Sequence, residues 1–178
     1  DKKTILVIGG SLGARTINES IANGLQKLSD NGIQLLWQTG KGYYETAKTA
    51  VETLGNQSIK ALDFIYKMDL AYAVADVIIS RAGASSVSEL TLVQKPAILV
   101  PSPNVAEDHQ TKNAMALVNK QAAVLVRDAD AREQLIDAVL ELMNDDTKCA
   151  ELKENIGKLA IQDSAETIAR EVLQMCSQ

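Results

Sequence analysis

The stretch that decides the fold is TILVIGGSLGAR, residues 4–15, in which a buried-strand pattern runs into a glycine-rich turn. Residues 77–90, VIISRAGASSVSEL, repeat the order of strand, glycine turn and helix. In an open parallel sheet such turns lie at the carboxyl edge, where ligands bind. Unpaired N–H groups at the following helix starts suit a phosphate, and Glu89 can accept hydrogen bonds from sugar hydroxyls. Together the two turns suggest a ligand with a pyrophosphate and a ribose.

Strand and helix patterns alternate along most of the chain. The predicted strands are Thr4–Ile8, Ile33–Gln38, Ser58–Leu62, Val77–Ser80, Ala97–Val100 and Ala123–Val126. The predicted helices between them are about Gly13–Leu28, Tyr43–Leu54, Met68–Ala75, Ser85–Val93 and Gln110–Asn119. This alternation predicts an α/β, Rossmann-like fold with a parallel six-stranded sheet and helices on both faces. From about Asp130 the pattern predicts a tail of two or three helices, and we expect residues 1–178 to form one domain.

The composition excludes several function classes. The net charge of −5 argues against nucleic acid as the main partner, because binding its phosphates needs a basic surface. No apolar run reaches the ~18 residues that a membrane span needs. Cys149 and Cys176 lack metal-ligand spacing and indicate free thiols of a cytosolic protein. The chain begins at Asp1 without an initiator Met, so we expect a processed chain or an excised domain.

The first glycine turn matches neither of two common phosphate-binding motifs. A dinucleotide fingerprint starting at Gly9 needs glycines where the chain has Ser11 and Ala14, and no acidic residue for an adenosine ribose ends the second strand. A Walker A loop needs a Gly-Lys-Ser/Thr run, which does not follow here. Two interpretations stay open. Ser11 is an N-cap or a phosphate ligand, or the segment is a purely structural turn.

The second glycine turn is more informative. Small residues at Gly83, Ala84, Ser85 and Ser86 let a ligand approach the backbone closely, and the two hydroxyls add donors. Glu89 follows one turn along, where we expect the helix N-terminus to stabilise its charge. The spacing of Ser86 and Glu89 also fits a capping box, in which both side chains bond back to the helix start.

The loop after the fifth predicted strand carries His109, Gln110 and Asn113 near a helix start. The two amides are three residues apart on one helix face, and an amide can both donate to and accept from a neutral hydroxyl. For His109, the one histidine of the sequence, a structural role stays open. These residues form no Ser/His/Asp set and no metal cluster.

The loop after the third predicted strand, Phe64–Met68, is apolar. If its backbone N–H and C=O groups face a crevice, they can pair with a planar base. The alternative is a hydrophobic loop that packs beneath the sheet edge.

In combination these motifs resemble those of the MurG family, which transfers N-acetylglucosamine from UDP-N-acetylglucosamine (UDP-GlcNAc) onto lipid I, giving lipid II in peptidoglycan synthesis. The resemblance covers nearly the whole chain and rests on four motifs that occur in the family's order and spacing. They are Gly9–Arg15, Phe64-Ile65 with Met68 and Ala71–Ala73, Arg81–Ala84 through Glu89-Leu90, and His109-Gln110 with Asn113-Ala114. The chain is thereby identified with the carboxyl-terminal, donor-binding half of an inverting GT-B glycosyltransferase.

The resemblance implies that the residues singled out above bind the donor. The resemblance implies that Ser11 and Gly13 contact the nucleotide and that the backbone of Ile65 contacts the uracil. Gly83–Ser86 would bind the pyrophosphate and Glu89 the ribose. The sugar would be contacted by Gln110, His109 and Asn113. Two positions depart from the family pattern. Leu12 stands where many members carry Gln, which removes one possible side-chain contact, and the family often has Gln at the position of His109.

The family's amino-terminal half carries the acceptor loop, the proposed catalytic base and a membrane-facing hydrophobic patch. None of these three features has a counterpart in the 178-residue sequence. The resemblance therefore implies that the chain binds UDP-GlcNAc without turnover and holds no catalytic residue, metal or cofactor. Lipid I and the membrane would be reached only through the other half, in a cytoplasmic protein peripheral to the inner face of the bacterial membrane. Two alternatives stay open: a GT-B or epimerase-type domain for another UDP-sugar, and a non-catalytic nucleotide-binding module.

Overall fold

The structure, a computed structural model, describes residues 2–10 and 12–176. The strands are β1 (Thr4–Ile8), β2 (Gln34–Gln38), β3 (Ile59–Leu62), β4 (Val77–Ser80), β5 (Ala97–Leu99) and β6 (Val124–Leu125). The α-helices are α1 (Arg15–Asp30), α2 (Tyr44–Leu54), α3 (Met68–Val74), α4 (Ala84–Val93), α5 (His109–Val118), α6 (Ala131–Asn144), α7 (Asp146–Gly157) and α8 (Ser164–Cys176). Single 3₁₀ turns precede α5 and α6, at Ala106–Asp108 and Asp128–Asp130. The predicted alternation is confirmed, with the ends of the predicted elements shifted by at most two residues.

The strands form one parallel sheet in the order β3-β2-β1-β4-β5-β6. The chain winds outward in one direction from β1 to β3 and in the other from β4 to β6, so the order reverses between β1 and β4. In sheets of this kind, ligands bind in a crevice at the point where the strand order reverses, just outside the carboxyl ends of the strands. Both glycine turns lie there, because one follows β1 and the other follows β4.

Two hydrophobic layers enclose the sheet, which explains why its strands are apolar at successive positions. On one face Ile5 and Val7 pack in a layer with residues of α1, α2 and α6. On the other face Leu6 and Ile78 pack in a layer with residues of α3, α4 and α5. Successive β1 side chains therefore serve opposite layers, as the pleat of a strand requires. The predicted coverage of both faces is confirmed.

The tail after β6 is helical, as predicted. Helix α6 buries Leu135 and Val139 in the same layer as α1. Helix α7 buries Leu152 and Ile156, whereas α8 is exposed along its whole length. Within residues 2–10 and 12–176, no helix combines the length and the apolar character needed to cross a bilayer.

Candidate functional site

The turn after β1 has a backbone conformation that requires glycine. Gly13 has φ +80°, and a Cβ there would lie 2.2 Å from the carbonyl oxygen of Thr39. Its N–H closes the turn by donating to the Gly10 carbonyl at 3.1 Å. The N-cap of α1 is Ala14, without a capping side chain, so the N-cap prediction for Ser11 is wrong. Ser11 itself lies outside the described residues, and a ligand contact for it or for Gly13 stays a prediction.

The turn after β4 is open, and the fold does not explain its glycine. Gly83 is the N-cap of α4 with φ −64° and ψ 155°, which any residue adopts. A Cβ at Gly83 would meet only the Ser86 hydroxyl oxygen, at 3.7 Å. No side chain caps this helix start, so its first N–H groups, on Ala84, Ser85 and Ser86, have no acceptor in the described part of the chain. This arrangement suits an anion that approaches the backbone closely.

Glu89 lies on the second turn of α4, six residues after the N-cap Gly83. The capping-box interpretation with Ser86 is therefore wrong. The expected stabilisation by the helix N-terminus is also wrong, because that effect is confined to the first turn. The exposed carboxylate instead accepts a hydrogen bond of 2.9 Å from the Tyr72 hydroxyl on α3. Burial, then this hydrogen bond and the Glu89 charge, raise the pKa of Tyr72, so the phenol stays a proton donor at neutral pH.

The Tyr72–Glu89 pair borders a groove of about 500 Å³ between α3 and α4. Only one carboxylate oxygen, Oε2, is engaged by Tyr72. A carboxylate has room for further donors, so Glu89 can still accept hydrogen bonds from the hydroxyl groups of a ligand.

The loop after β3 turns part of its backbone inward. The side chain of Ile65 is 8% exposed, and its N–H donates to Gln38 Oε1 at 3.0 Å. The expectation that this N–H faces the crevice is therefore wrong for the state observed. The Ile65 carbonyl accepts no hydrogen bond from the described residues. The neighbouring Phe64 and Tyr66 rings meet edge to face, with their centroids 5.1 Å apart, and both residues are exposed.

The amides of α5 brace the loops around them. Gln110 Oε1 accepts the Ser102 N–H at 2.9 Å, and Asn113 Nδ2 donates to the Ala82 carbonyl at 3.0 Å. Each side-chain amide thus has one of its two polar atoms hydrogen-bonded. The other atom, Nε2 in Gln110 and Oδ1 in Asn113, has no partner among the described residues. His109 is exposed, and its Nδ1 lies 2.9 Å from a carbonyl oxygen of the same loop. The bond to Ala82 places α5 beside the open turn of α4.

Sequence reasoning missed the ion pair that holds this edge of the sheet together. Arg81, directly after β4, donates to the Val100 carbonyl at 2.9 Å and pairs with Asp128 at 2.5 Å. Asp128 also accepts a hydrogen bond of 3.0 Å from the Thr16 hydroxyl on α1. Both charged side chains are about five-sixths buried. The network connects the ends of β4 and β5 with α1 and the turn before α6. Arg81 and Asp128 are 47 residues apart, so no local sequence pattern predicts their pairing.

The predicted residues therefore follow the carboxyl ends of β1, β3, β4 and β5 and share one edge of the sheet. Among the described residues, no group of three His, Cys, Asp or Glu side chains is placed to hold a metal ion. The arrangement offers backbone donors, one carboxylate and two half-engaged amides, which suits binding a polar, phosphorylated ligand.

A family model described as "Glycosyltransferase family 28 C-terminal domain" matches residues 4–168. The chain belongs to this glycosyltransferase family. A curated relative in Bacteroides thetaiotaomicron is 55% identical, over 98% of the chain and 48% of the relative's length. A second, in Cytophaga hutchinsonii, is 55% identical, over 97% of the chain and 46% of the relative's length. Both carry the name UDP-N-acetylglucosamine--N-acetylmuramyl-(pentapeptide) pyrophosphoryl-undecaprenol N-acetylglucosamine transferase. The chain spans about half the length of the curated relatives it matches.

Solved structures of similar fold agree with this family assignment. The crystal structure of Acinetobacter baumannii MurG superposes on the glycosyltransferase family 28 domain with a TM-score of 0.87 and 27% identity, covering 98% of the chain and 50% of that protein. Staphylococcus aureus MnaA, solved with UDP, has a TM-score of 0.73 at 16% identity over 99% of the chain and 46% of that protein, and shares the fold alone. The resemblance to the MurG family and the Rossmann-like, GT-B type of fold are confirmed.

Proposed function

We propose that the chain is the donor-binding half of an inverting glycosyltransferase that moves N-acetylglucosamine from UDP-GlcNAc to lipid I, making lipid II in peptidoglycan synthesis. The observation that carries the proposal is the open start of α4. There a glycine that the fold does not need exposes unpaired N–H groups at the crevice between β1 and β4. The names of relatives 55% identical over almost the whole chain support the particular donor and acceptor.

In this proposal each part of the donor has its own group of residues. The pyrophosphate binds the N–H groups and hydroxyls of Gly83–Ser86, with Ser11 and Gly13 of the first turn beside the nucleotide. The ribose hydroxyls donate to Glu89, which Tyr72 holds in place at 2.9 Å. The uracil pairs with the Ile65 loop. The sugar is read by His109 and by the free amide groups of Gln110 and Asn113.

The same backbone groups would also serve the transfer. UDP leaves with a growing negative charge on its terminal phosphate when the acceptor hydroxyl attacks the sugar. Donors fixed in advance around that phosphate stabilise the transition state more than the ground state. This role needs no catalytic side chain in the chain itself, and we assign none.

The acceptor side of the reaction belongs, in this proposal, to the rest of a longer protein, since the curated relatives are about twice as long as the chain. That part would bind lipid I, supply the base and meet the inner face of the cytoplasmic membrane. Transfer requires the acceptor hydroxyl and the base to be aligned with the sugar. We therefore propose that residues 1–178 act as one domain that binds donor without turnover.

Calorimetric titration of the chain with UDP, ADP and UDP-GlcNAc tests the proposal, together with an assay of transfer to a lipid I analogue. We expect UDP and UDP-GlcNAc to bind, ADP to bind more weakly, and the chain alone to transfer no sugar. Equal affinities for ADP and UDP would contradict the uridine assignment. A preference for another UDP-sugar would favour the epimerase-type alternative, and turnover by the purified chain would overturn the division between the two halves.

A further inference from the structure

A buried glutamine joins the two loops on either side of β2. Gln38 is the last residue of β2, and it is 2% exposed. Its Nε2 donates to the Gly10 carbonyl at 3.2 Å, and its Oε1 accepts the Ile65 N–H at 3.0 Å. In the sheet Gln38 is paired with Ile8 of β1 and Leu62 of β3, so its side chain leaves β2 between the loops that follow those strands.

The chemistry of the two partners fixes the orientation of this amide. A backbone carbonyl only accepts and a backbone N–H only donates, so the amide NH₂ must face Gly10 and its oxygen must face Ile65. The same Gly10 oxygen also accepts the Gly13 N–H at 3.1 Å, which closes the glycine turn. Gln38 therefore connects the closed turn after β1 directly to the peptide group at Ile65.

We propose that Gln38 is a positioning residue of the base subsite, which orients the Ile65 peptide and sets its distance from the glycine turn. The inference rests on the proposed function, because that function places uracil at the Ile65 loop and the nucleotide beside the Gly10–Gly13 turn. In the described part of the chain Gln38 is the one partner of the Ile65 N–H. Without it the buried N–H is left unpaired, and the loop shifts to reach water.

The consequence concerns base selectivity more than overall affinity. Uracil and adenine present different donors and acceptors to a backbone edge, and that edge tells them apart only when its position is fixed. A mobile Ile65 peptide can adapt to either base. The phosphate contacts at α4 do not involve Gln38, so they contribute equally to UDP and ADP.

The test is the variant Gln38→Met, which keeps a long side chain but neither hydrogen bond. The matched control is Gln34→Met, at the exposed amino end of the same strand, where the side-chain Oε1 of Gln34 accepts from the Thr4 hydroxyl at 3.1 Å. We expect the preference for UDP over ADP, measured by calorimetry, to fall about fivefold in Gln38→Met, which is the size expected from losing the one neutral hydrogen bond that fixes the Ile65 peptide. The control should keep the parental preference.

An unchanged preference in Gln38→Met would overturn the proposal. A larger preference would overturn it too, because Gln38 would then compete with the base for the Ile65 N–H. Should Gln38→Met fail to fold, Gln38→Asn serves instead. It keeps the amide but is one methylene shorter, so it cannot reach both loops, and the same fall is expected.

A ligand-free measurement separates this inference from the proposed function. Amide hydrogen exchange by NMR should show the Ile65 N–H protected in the parent and in Gln34→Met, and faster exchange in Gln38→Met. Equal protection in all three proteins would overturn the role of Gln38 even if UDP binds. If the parent does not bind UDP, the proposed function fails, and the exchange rates still decide whether Gln38 holds the Ile65 peptide.

Discussion

Replacing Gly83 by alanine should separate ligand binding from folding at the start of α4. The backbone of Gly83, with φ −64° and ψ 155°, is open to alanine, and the new Cβ would make one ordinary contact, 3.7 Å from the Ser86 hydroxyl. Alanine reduces the entropy of the unfolded chain but is a poorer N-cap than glycine. The two effects oppose each other, and each is about 1 kcal/mol or less. We expect the melting temperature to stay close to that of the parent.

Binding should respond very differently to Gly83→Ala. The methyl group would project into the open space at the helix start, where a phosphate oxygen must come within about 2.9 Å of a backbone nitrogen. A hydrogen bond to a charged group contributes roughly 1.5–3 kcal/mol. The loss of one such bond weakens UDP binding by about 10- to 100-fold.

The assay is calorimetric titration with UDP and a thermal melt on the same protein, with Gly13→Ala as the contrast. A Cβ at Gly13 would lie 2.2 Å from the Thr39 carbonyl oxygen at φ +80°, so this variant should melt at a lower temperature than the parent. If Gly83→Ala binds UDP with parental affinity, the pyrophosphate does not bind at the start of α4 and the reasoning fails.

Three further predictions concern individual side chains. Glu89→Gln should weaken UDP-GlcNAc binding about 10- to 100-fold in calorimetry. Its melting temperature should not change, since Glu89 is exposed and caps no helix. A lower melting temperature with parental affinity would show that Glu89 has a purely structural role. Burial raises the pKa of Tyr72 and of Tyr43 above the ordinary value of 10.0, so the folded state holds these protons more tightly than the unfolded state. The free energy of unfolding in urea should therefore fall as the pH rises above about 10, relative to its value near pH 8, and the absence of this alkaline fall would contradict the burial of these phenols. Gln110→Ala should lower the preference for UDP-GlcNAc over its C4 epimer UDP-GalNAc and leave UDP affinity near the parental value, and an equal loss for UDP would show that Gln110 only braces Ser102.

The fold could be predicted from the sequence because its strongest signals are local. Strands with both faces buried are apolar at successive positions, as in Ile5–Ile8, and the short glycine turns after them mark where each strand passes into a helix. The start of α1 was predicted two residues early, at Gly13. Gly13 has the non-helical φ of +80°, and the Thr39 carbonyl after β2 leaves no room for a Cβ there, which no helical periodicity reveals.

The site could be predicted only in part, because several of its contacts join distant residues. The motif Gly83–Glu89 was found, but its S-x-x-E spacing fits a cap and a ribose site equally well. The structure places the N-cap at Gly83 and thereby excludes the capping box. The bond from Ile65 to Gln38 spans 27 residues and the pair Arg81–Asp128 spans 47, so sequence spacing offers no signal for either.

The central claim is that a UDP-sugar binds at the carboxyl edge of the sheet, and NMR chemical-shift mapping tests it most directly. On titration with UDP-GlcNAc the account predicts the largest shifts in the backbone amides of Gly83–Ser86, Glu89, Ile65 and Gln110. The opposite, amino edge offers a contrasting cavity of about 210 Å³ bordered by Lys3, Lys95 and Lys153. Shifts confined to that cavity, or the absence of shifts at Gly83–Ser86 under saturating ligand, would contradict the account.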